Sequence, residues 1–515
     1  MQVAHVFKSE PLVNGIWPWH PATVIINIAM PPPTPSENPT TIPLCVDLDG
    51  TLIKTDMLWE SLVRRLKANP FALFSILLWW TRGRAFLKQQ LAARVAVDAA
   101  SLPVNESFLA WLRAEKKSGR KIVLATASDL KMAQPVADHF GLFDEVLASD
   151  GKTNLRSENK LRLLTQKFGE RGFDYAGNSP ADFAVWRGVR EAIVVNARPA
   201  VAKKAAAIAK VGLVFKPDAA GVGSFVRSLR LHQWVKNFII FVPALAGHKI
   251  GDTTIFLRDV RAFAAFCLCA SGVYLLNDLL DLDADRQHPT KRNRPFAAGD
   301  LPLQTGLICA PLFLIAGILA AAQLSRSFVE VTFLYVALTT IYSCWVKQIV
   351  LLDVFFLAGL YTLRLVAGSA ATGIVISSWL LIFSMFIFVS LALVKRFVEL
   401  TDTTGGEASR PAAAGRGYFA EHLKLVAGLG TASGWLAAAV LAIYVKQSEQ
   451  VGQLYQHPML LLFACPLLLF WIGRVWWLAR KGEMHDDPVV FALKDWASYL
   501  VGALTLLVMW VAAKH

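Results

Sequence analysis

Charged residues are scarce in this chain. Asp, Glu, Lys and Arg make up 17% of its 515 residues against 55% hydrophobic, with a mean hydropathy of +0.45, which excludes a single soluble domain. Acidic residues are in particular deficit, 38 against 52 basic, for a net charge of +14. The basic residues fall in short loops between apolar runs rather than on one helix or tail, so the excess does not indicate nucleic acid. Cysteine is sparse too: Cys45, Cys267, Cys269, Cys309, Cys344 and Cys465 include no CxxC pair and sit mostly in apolar segments, as small core residues rather than metal ligands or disulfides. The first 40 residues lack the basic, apolar and cleavage regions of a secretory signal. They carry Pro31, Pro32, Pro33, Pro35 and Pro39 instead, and are expected to be disordered, with Met30 a second potential initiator.

What is present divides the chain in two. Up to about residue 220, strand-like and helix-like segments alternate; beyond it, apolar runs near the ~20-residue spanning length recur to the end. Nine spans are expected, at about 237–255, 260–280, 303–323, 328–346, 350–371, 376–394, 423–445, 456–478 and 496–513. With the amino-terminal part in the cytosol, the loops after spans two, four, six and eight hold about thirteen Lys and Arg against about six on the other side. The expected setting is a cell (inner) membrane, with the soluble domain and every charged motif on the cytoplasmic face.

In the amino-terminal half, 42–46, 121–124, 145–148, 173–176 and 192–195 read as buried strands, each followed by a helical segment, which implies a parallel sheet over about 41–220. The insertion between the first two strands, about 55–119, reads as a helical cap. Within it PFALFSILLWW (70–80) is too short to span a bilayer; it is either a buried cap helix or an interfacial segment.

The most informative stretch is NDLLDLDADRQHPTKRNRP (277–295), which closes an apolar helix with carboxylates and adds a compact basic run. On a helix Asn277, Asp281 and Asp285 fall at i, i+4 and i+8 with Asp278 beside them, while Asp283 points elsewhere. Such a face at the edge of hydrocarbon requires bridging cations, and Mg2+ held by carboxylates together with substrate phosphates is the usual solution.

This ordered set, with the polytopic helices from about 227 to 515, resembles the UbiA superfamily of intramembrane transferases. The finer pattern is similar to the decaprenyl-phosphate phosphoribosyltransferases: LHQWVKN (231–237), Asp353, Arg364, KRFVEL (395–400), Arg416 to Tyr418, and GEMHDDPVVFALK (482–494). The resemblance implies transfer of 5-phosphoribose from phosphoribosyl diphosphate to a polyprenyl phosphate. Where other UbiA enzymes carry a second aspartate-rich motif, this chain has Lys395 and Arg396 ahead of Glu399, which suits a phosphate bound without metal. Asn277, Asp278, Asp281 and Asp285 would then hold Mg2+ and the leaving diphosphate, and Lys291, Arg292 and Arg294 the distal phosphate. Tyr342, Lys347 and Arg364 would orient donor or acceptor. His485, Asp486 and Asp487 are ribose ligands, a second metal site or an ordinary loop. His288 is expected to end a helix or touch phosphate, since an ionised phosphate acceptor needs no general base.

DLDGTL (47–52) after a strand, Thr126 in VLATAS, Lys160 opening a helix and GNSPAD (177–182) resemble, in order, the motifs of the haloacid dehalogenase (HAD) superfamily. The resemblance implies an α/β Rossmannoid phosphohydrolase. Asp47 would be the nucleophile and Asp49 the acid–base; Thr126 and Lys160 would hold phosphoryl oxygens, and Asp47, Asp49, Asn178 and Asp182 a Mg2+ ion. Asn178 departs from the pattern, standing where an acid is usual. The fused domain is expected to remove the 5-phosphate, giving polyprenyl phosphoryl ribose. The competing expectations are prenyl transfer to an aromatic acceptor, and a non-catalytic membrane scaffold. Oligomeric state, polyprenyl length and the downstream glycan are not legible.

Overall fold

The computed structural model describes residues 41–150, 153–216, 221–403, 417–484, 487–492 and 494–513. Six parallel strands, β1 (Leu44–Val46), β2 (Ile122–Asp129), β3 (Glu145–Ser149), β4 (Asp174–Gly177), β5 (Ala192–Val195) and β6 (Val211–Phe215), form one sheet in the order β3-β2-β1-β4-β5-β6. β1 is apolar throughout and β2 opens on the apolar run Ile122–Ala125 because both faces of the sheet are covered. Leu44, Val46, Ile122 and Leu124 enter one core; Cys45, Val123 and Ala125 enter the other. β6 was not among the expected strands. It is a short edge strand with Gly212 inside and Val214 exposed, so it lacks the continuous apolar signal of its neighbours.

The insertion after β1 holds four helices, α1 (Met57–Ala68), α2 (Ala72–Thr81), α3 (Arg84–Ala92) and α4 (Glu106–Lys117). Only the first three form the cap. Phe108 and Trp111 of α4 pack on Phe215 at ring distances of 5.3 and 5.6 Å, so α4 is the crossover helix of the sheet and the expected cap of 55–119 is shorter than its insertion. Asp56 caps α1 by accepting from the Leu58 N–H at 2.8 Å, and Pro70 follows its end. The sheet continues through α5 (Leu130–Phe140), α6 (Glu158–Phe168), α7 (Phe183–Arg187) and α8 (Pro199–Ile208), and α9 (Val222–Ser228) leads to the helical half.

That half comprises α10 (Val242–Ala246), α11 (Thr253–Leu280), α12 (Leu282–Gln287), α13 (Leu303–Ala321), α14 (Arg326–Cys344), α15 (Leu352–Thr372), α16 (Ser378–Thr403), α17 (Leu423–Gln447), α18 (Glu449–Leu454), α19 (Ala464–Lys481), α20 (Pro488–Ala492) and α21 (Trp496–Ala512). Seven helical segments among the described residues are long and apolar enough to cross a membrane, and α21 is a shorter apolar helix of 17 residues. The first expected span, 237–255, is not a regular helix. A 3-10 helix, Leu231–Phe241, runs into α10 with Pro243 in its first turn, and Gly247 and the positive φ of His248 follow. The segment lies antiparallel along α11. Trp234 donates to Ser271 at 3.0 Å, Asn237 to Cys267 at 3.2 Å, and Phe238 packs on Phe263 at 4.9 Å. At ~2.0 Å rise per 3-10 residue against ~1.5 Å in an α-helix, the stretched geometry lets a short segment cover most of a ~30 Å hydrocarbon core. α11 and α13 meet closely: a Cβ on Gly272 would lie 2.9 Å from the Ala310 carbonyl, and one on Gly317 2.9 Å from that of Ala265.

The two halves are clamped at the α11–α12 corner. Glu60 of α1, fully buried, accepts from Arg286 of α12 at 2.6 and 3.1 Å and also pairs with Arg64, which in turn reaches Asp283 at 2.5 Å. Burial opposes ionisation of Glu60, but Arg286 and Arg64 outweigh it and hold the carboxyl below its ordinary value. Around these charges Val63 and Trp59 pack with Leu275, Leu279 and Leu303. Glu60→Ala, leaving Arg286 buried without its partner, is expected to cost roughly 3–5 kcal/mol and to expose the junction to proteolysis. Because the Glu60 value is lowered, this contribution is complete above the unfolded value of 4.5 and is lost as pH falls through the folded one. Melting and limited proteolysis of the purified variant at pH 7 check it; unchanged curves would show that the clamp carries no energy.

Candidate functional sites

The first site lies where β1 ends beside β4, the point at which strand order reverses and parallel sheets open a crevice. Asp47 leaves β1 there, and Lys160 of α6 donates to it at 2.8 Å and to the Tyr175 hydroxyl at 2.7 Å. Asp49 accepts from the Ser128 hydroxyl at 2.6 Å and from the Met57 N–H at 2.8 Å. Burial lifts both carboxyls, Asp47 to about 7 against the pull of Lys160 and Asp49 to about 6. Thr126 is fully buried, and its hydroxyl accepts from the Ser128 N–H at 3.0 Å. Gly50, at φ 75°, lets Asn178 pack over the loop; a Cβ there would lie 1.9 Å from the amide nitrogen. Asp182 accepts from the Tyr175 hydroxyl at 2.8 Å, the Asn178 and Ser179 N–H groups at 3.1 and 2.9 Å, and the Ser179 hydroxyl at 3.0 Å. Its carboxylate therefore shapes the 177–182 loop. Ser128, Tyr175 and Lys88, which donates to the Ala127 carbonyl at 2.7 Å, were not singled out in the sequence, because single polar residues in strands and cap helices carry no motif.

A cavity of about 1110 Å³ opens over Asp47, Asp49, Asn178 and Lys160. Its wall combines the sheet loops, Trp59, Trp80 and Lys88 of the cap, and residues 299–305, the loop into α13 with its first turn. The helical half thus contributes directly to the chamber above the carboxylates.

The second site is the inner face of the α11–α12 corner. α11 ends at Leu280, and the backbone bonds from Asp281 to Asn277 and from Asp285 to Asp281, both 2.8 Å, carry helical spacing through the break. Asp278 and Asp285 are buried and share Arg294, whose guanidinium lies 3.3 and 2.6 Å from them; Arg230 also pairs with Asp278. Asp281, half-exposed, accepts from Lys347 at 2.6 Å. The Asn277 side-chain oxygen is buried with no donor among the described residues. Lys291 is part-buried, and no carboxylate pairs with it among the described residues; burial first, then Arg294, hold its ammonium below its ordinary value. Burial and Lys291 likewise depress His288, whose Nδ1 faces the Thr290 and Lys291 N–H groups at 3.3 and 3.4 Å. Arg292 is exposed and turns instead to a separate cavity of about 520 Å³ against the 98–106 loop.

A basic cluster stands on the same side. Lys236 and Lys395 converge on one oxygen of Asp487, at 2.8 and 3.1 Å, and the Tyr361 hydroxyl reaches the other at 3.4 Å. The two lysines hold the Asp487 carboxyl far below the ordinary range despite its burial. Arg364 donates to Asn237 at 2.9 Å, to the Leu360 carbonyl at 2.6 Å and to Tyr335 at 3.3 Å. Arg396 is fully engaged by Asp353 at 2.5 Å, Glu399 at 2.5 Å and Tyr342 at 3.0 Å, with Tyr418 donating to Asp353 at 2.6 Å. Adjacent in sequence, Lys395 faces the cluster and Arg396 the core. Lys236 and Arg230 were not named as site residues, although LHQWVKN already marked their segment. His485, Asp486 and Arg416 lie outside the described residues.

A polytopic helical bundle with an acid–base mouth, carrying a doubly covered parallel sheet with carboxylates at its switch point, defines a membrane enzyme with an appended phosphohydrolase-like domain. The UbiA prenyltransferase family matches residues 238–501, and the haloacid dehalogenase-like hydrolases match 44–187. The chain belongs to the UbiA prenyltransferase family, with an amino-terminal HAD-like domain, and both are families of enzymes. It is 37% identical over 464 residues to the y4nM protein of Sinorhizobium fredii, covering 90% of this chain and 89% of that one. Over 192 residues it is 33% identical to the decaprenyl-phosphate phosphoribosyltransferase of Mycobacterium tuberculosis, covering 36% of this chain and 64% of that one. A UbiA homologue from Archaeoglobus fulgidus, solved with DMAPP and Mg2+, overlays with a TM-score of 0.43 at 14% identity, covering 56% of this chain and 99% of that one.

The different surroundings of Lys395 and Arg396 give a stability test. Asp353→Ala removes one of the two carboxylates on the buried Arg396, leaving it Glu399 and Tyr342, and is expected to lower stability by roughly 2–3 kcal/mol, whereas Lys395→Met leaves Asp487 with Lys236 and costs about 1 kcal/mol or less. Thermal melts of both variants in detergent check the order; equal losses would contradict it.

Proposed function

We propose that the helical half transfers 5-phosphoribose from phosphoribosyl diphosphate to a polyprenyl phosphate, and that the HAD-like domain then removes the 5-phosphate. The observation that carries this is the pair Lys236 and Lys395, two ammonium groups on a single carboxylate oxygen where a prenyl diphosphate enzyme would need a second acidic, metal-binding cluster. Ammonium groups so placed suit a metal-free phosphate, either the acceptor lipid or the sugar 5-phosphate. Sequence similarity to the mycobacterial phosphoribosyltransferase supports the same choice.

The α11–α12 face suits a hard cation. The orphaned Asn277 oxygen and the accessible Asp281 carboxylate supply two oxygen ligands, and Mg2+ commonly takes one or two protein oxygens with the rest from substrate phosphate and water. Asp278 and Asp285 would support it as Arg294 and Lys347 exchange carboxylates for phosphate oxygens. Bound there, Mg2+ would supply neutralisation of the charge on the leaving diphosphate. An acceptor phosphate oxygen attacks C1 of the ribose, the bond from C1 to the diphosphate oxygen breaks, and Lys291 and Arg294 hold anionic oxygens at the mouth. In the HAD-like cavity, Asp47 attacks the 5-phosphate, Asp49 protonates the departing ribose oxygen, and water then hydrolyses the aspartyl phosphate. Lys160 holds Asp47 and the phosphoryl group. Asp47, Asp49 and Asn178 offer oxygens for a second Mg2+, with Asp182 bracing the loop that presents Asn178. We place the protein in the inner membrane with both sites cytoplasmic.

Radiolabelled phosphoribosyl diphosphate with polyprenyl phosphate vesicles tests the reading. Label is expected in the lipid fraction, reduced at least about 100-fold by Asp281→Ala. Asp47→Asn should retain lipid labelling and release no inorganic phosphate; an inert donor and a prenylated aromatic product would reject the assignment. The pH profile adds a second test. Asp47 must be ionised to attack; burial lifts its carboxyl to about 7, and a Mg2+ ion held there would lower it again, so the acid limb of aryl phosphate hydrolysis should fall below that value. Lys160 lowers that value, so Lys160→Met should move the limb to higher pH; an unmoved limb would separate Lys160 from Asp47.

A further inference from the structure

Helix α2 buries Ala72 and Ile76 and rests Trp79 on the core. Phe71 is 79% exposed, Phe74 74%, and Leu77 and Leu78 56% each, a density of bare apolar side chains that a solvated surface does not sustain. We propose that α2 lies in the cytoplasmic leaflet, embedded among anionic phospholipids, and holds the mouth of the HAD-like cavity at the membrane surface so that substrate enters phosphate first while its lipid end stays in the leaflet.

Three independent observations fix the occupant as lipid. First, α2 continues a surface that already faces the bilayer. Its Trp80 packs on Trp59 at a ring distance of 6.5 Å, Trp59 packs on the cluster containing Leu303 of α13, and Leu307 joins the core of the HAD-like domain. From that junction α13 presents Ile308, Leu312, Ile315 and Leu319, all more than half exposed and at helical spacing, along its lipid-facing side. The clamp from Glu60 and Arg64 to Arg286 and Asp283 fixes the cap at the same level, where α11 leaves the membrane. Second, charge is complementary. From Ser61 to Val97 the chain holds seven Lys and Arg and no Asp or Glu, with Lys67, Arg82 and Arg84 exposed beside α2. An apolar helix ending in two tryptophans and flanked by basic residues has the composition of a segment seated in the membrane interface. Third, at ten residues α2 is too short to span, so lying in the interface is the geometry open to it.

The consequence follows from the cavity wall. Trp59, Trp80, Leu301 and Leu303 line the chamber above Asp47 and Asp49. An apolar rim at the leaflet selects phosphomonoesters borne on a lipid anchor over soluble ones. This second part rests on the phosphohydrolase reading; the membrane placement of α2 does not.

Photocrosslinking decides the placement without reference to activity. Full-length protein carrying benzoylphenylalanine at Phe74 or at Leu78 is reconstituted in phosphatidylglycerol–phosphatidylethanolamine vesicles and irradiated, with the probe at the exposed Lys131 as control. Lipid adducts at Phe74 and Leu78 and none at Lys131 are expected. Adducts to this chain, to a second copy or to another protein, or an absence of lipid adducts, would overturn the proposal. The triple variant Phe74→Ser, Leu77→Ser, Leu78→Ser addresses the second part. Hydrolysis of p-nitrophenyl phosphate should stay within about 2-fold, and hydrolysis of a polyprenyl-linked phosphomonoester in vesicles should fall at least about 10-fold. An equal loss on both substrates would refute entry from the leaflet. A wild-type protein inert towards both, yet crosslinked to lipid, would refute the phosphohydrolase reading and leave the placement of α2 standing.

Discussion

Carboxylates at the rim of a hydrocarbon layer persist only when cations neutralise them, and the α11–α12 corner is built around that constraint. Helical spacing sends its acids two ways. Asp278 and Asp285 turn inward to Arg294, with Asp281 reaching Lys347, while Asp283 and Arg286 turn outward to Arg64 and Glu60 of the cap. One short stretch therefore builds the inner site and docks the soluble domain. A shift of either face would disturb the other, because both hang on the same two helical turns.

The arrangement places the two chemistries together. The segment 299–305, which follows the basic run and enters the first turn of α13, forms part of the wall of the HAD-like cavity. On the proposed reading, a product leaving the mouth of the helical half would meet the second chamber across a few residues of the same chain. Clamp, shared wall and apolar cap helix together favour a substrate that never leaves the membrane surface.

Much of this was legible in the sequence, for physical reasons that also mark where legibility ended. Buried parallel strands are continuous apolar runs, so five of six were visible; β6, an edge strand broken by Gly212, was not. The acidic face of 277–285 and the divergence of Asp283 followed from helical periodicity alone, and Asp283 indeed points to the other domain. The cap boundary was harder, because α4 is amphipathic like the cap helices and only its contact with Phe215 assigns it to the sheet. Residues 231–246 carry the hydropathy of a span but not its regularity: Pro243 and close pairing with α11 settle a stretched geometry that composition does not encode. Polarity within apolar runs likewise could not separate Lys395 from Arg396. Tertiary pairing with Asp353, 43 residues away, draws one into the core and leaves the other at the mouth.

The buried oxygen of Asn277, which has no donor among the described residues, is the feature beside Asp281 on which the inner site turns. An experimental structure with phosphoribosyl diphosphate and Mn2+ in place of Mg2+, read by anomalous scattering, tests it directly. A manganese peak within ligand distance of the Asn277 oxygen and the Asp281 carboxylate, with the diphosphate on its far side, is the expected result. Diphosphate bound elsewhere, with Asp281 still paired to Lys347 and no metal at the corner, would contradict it.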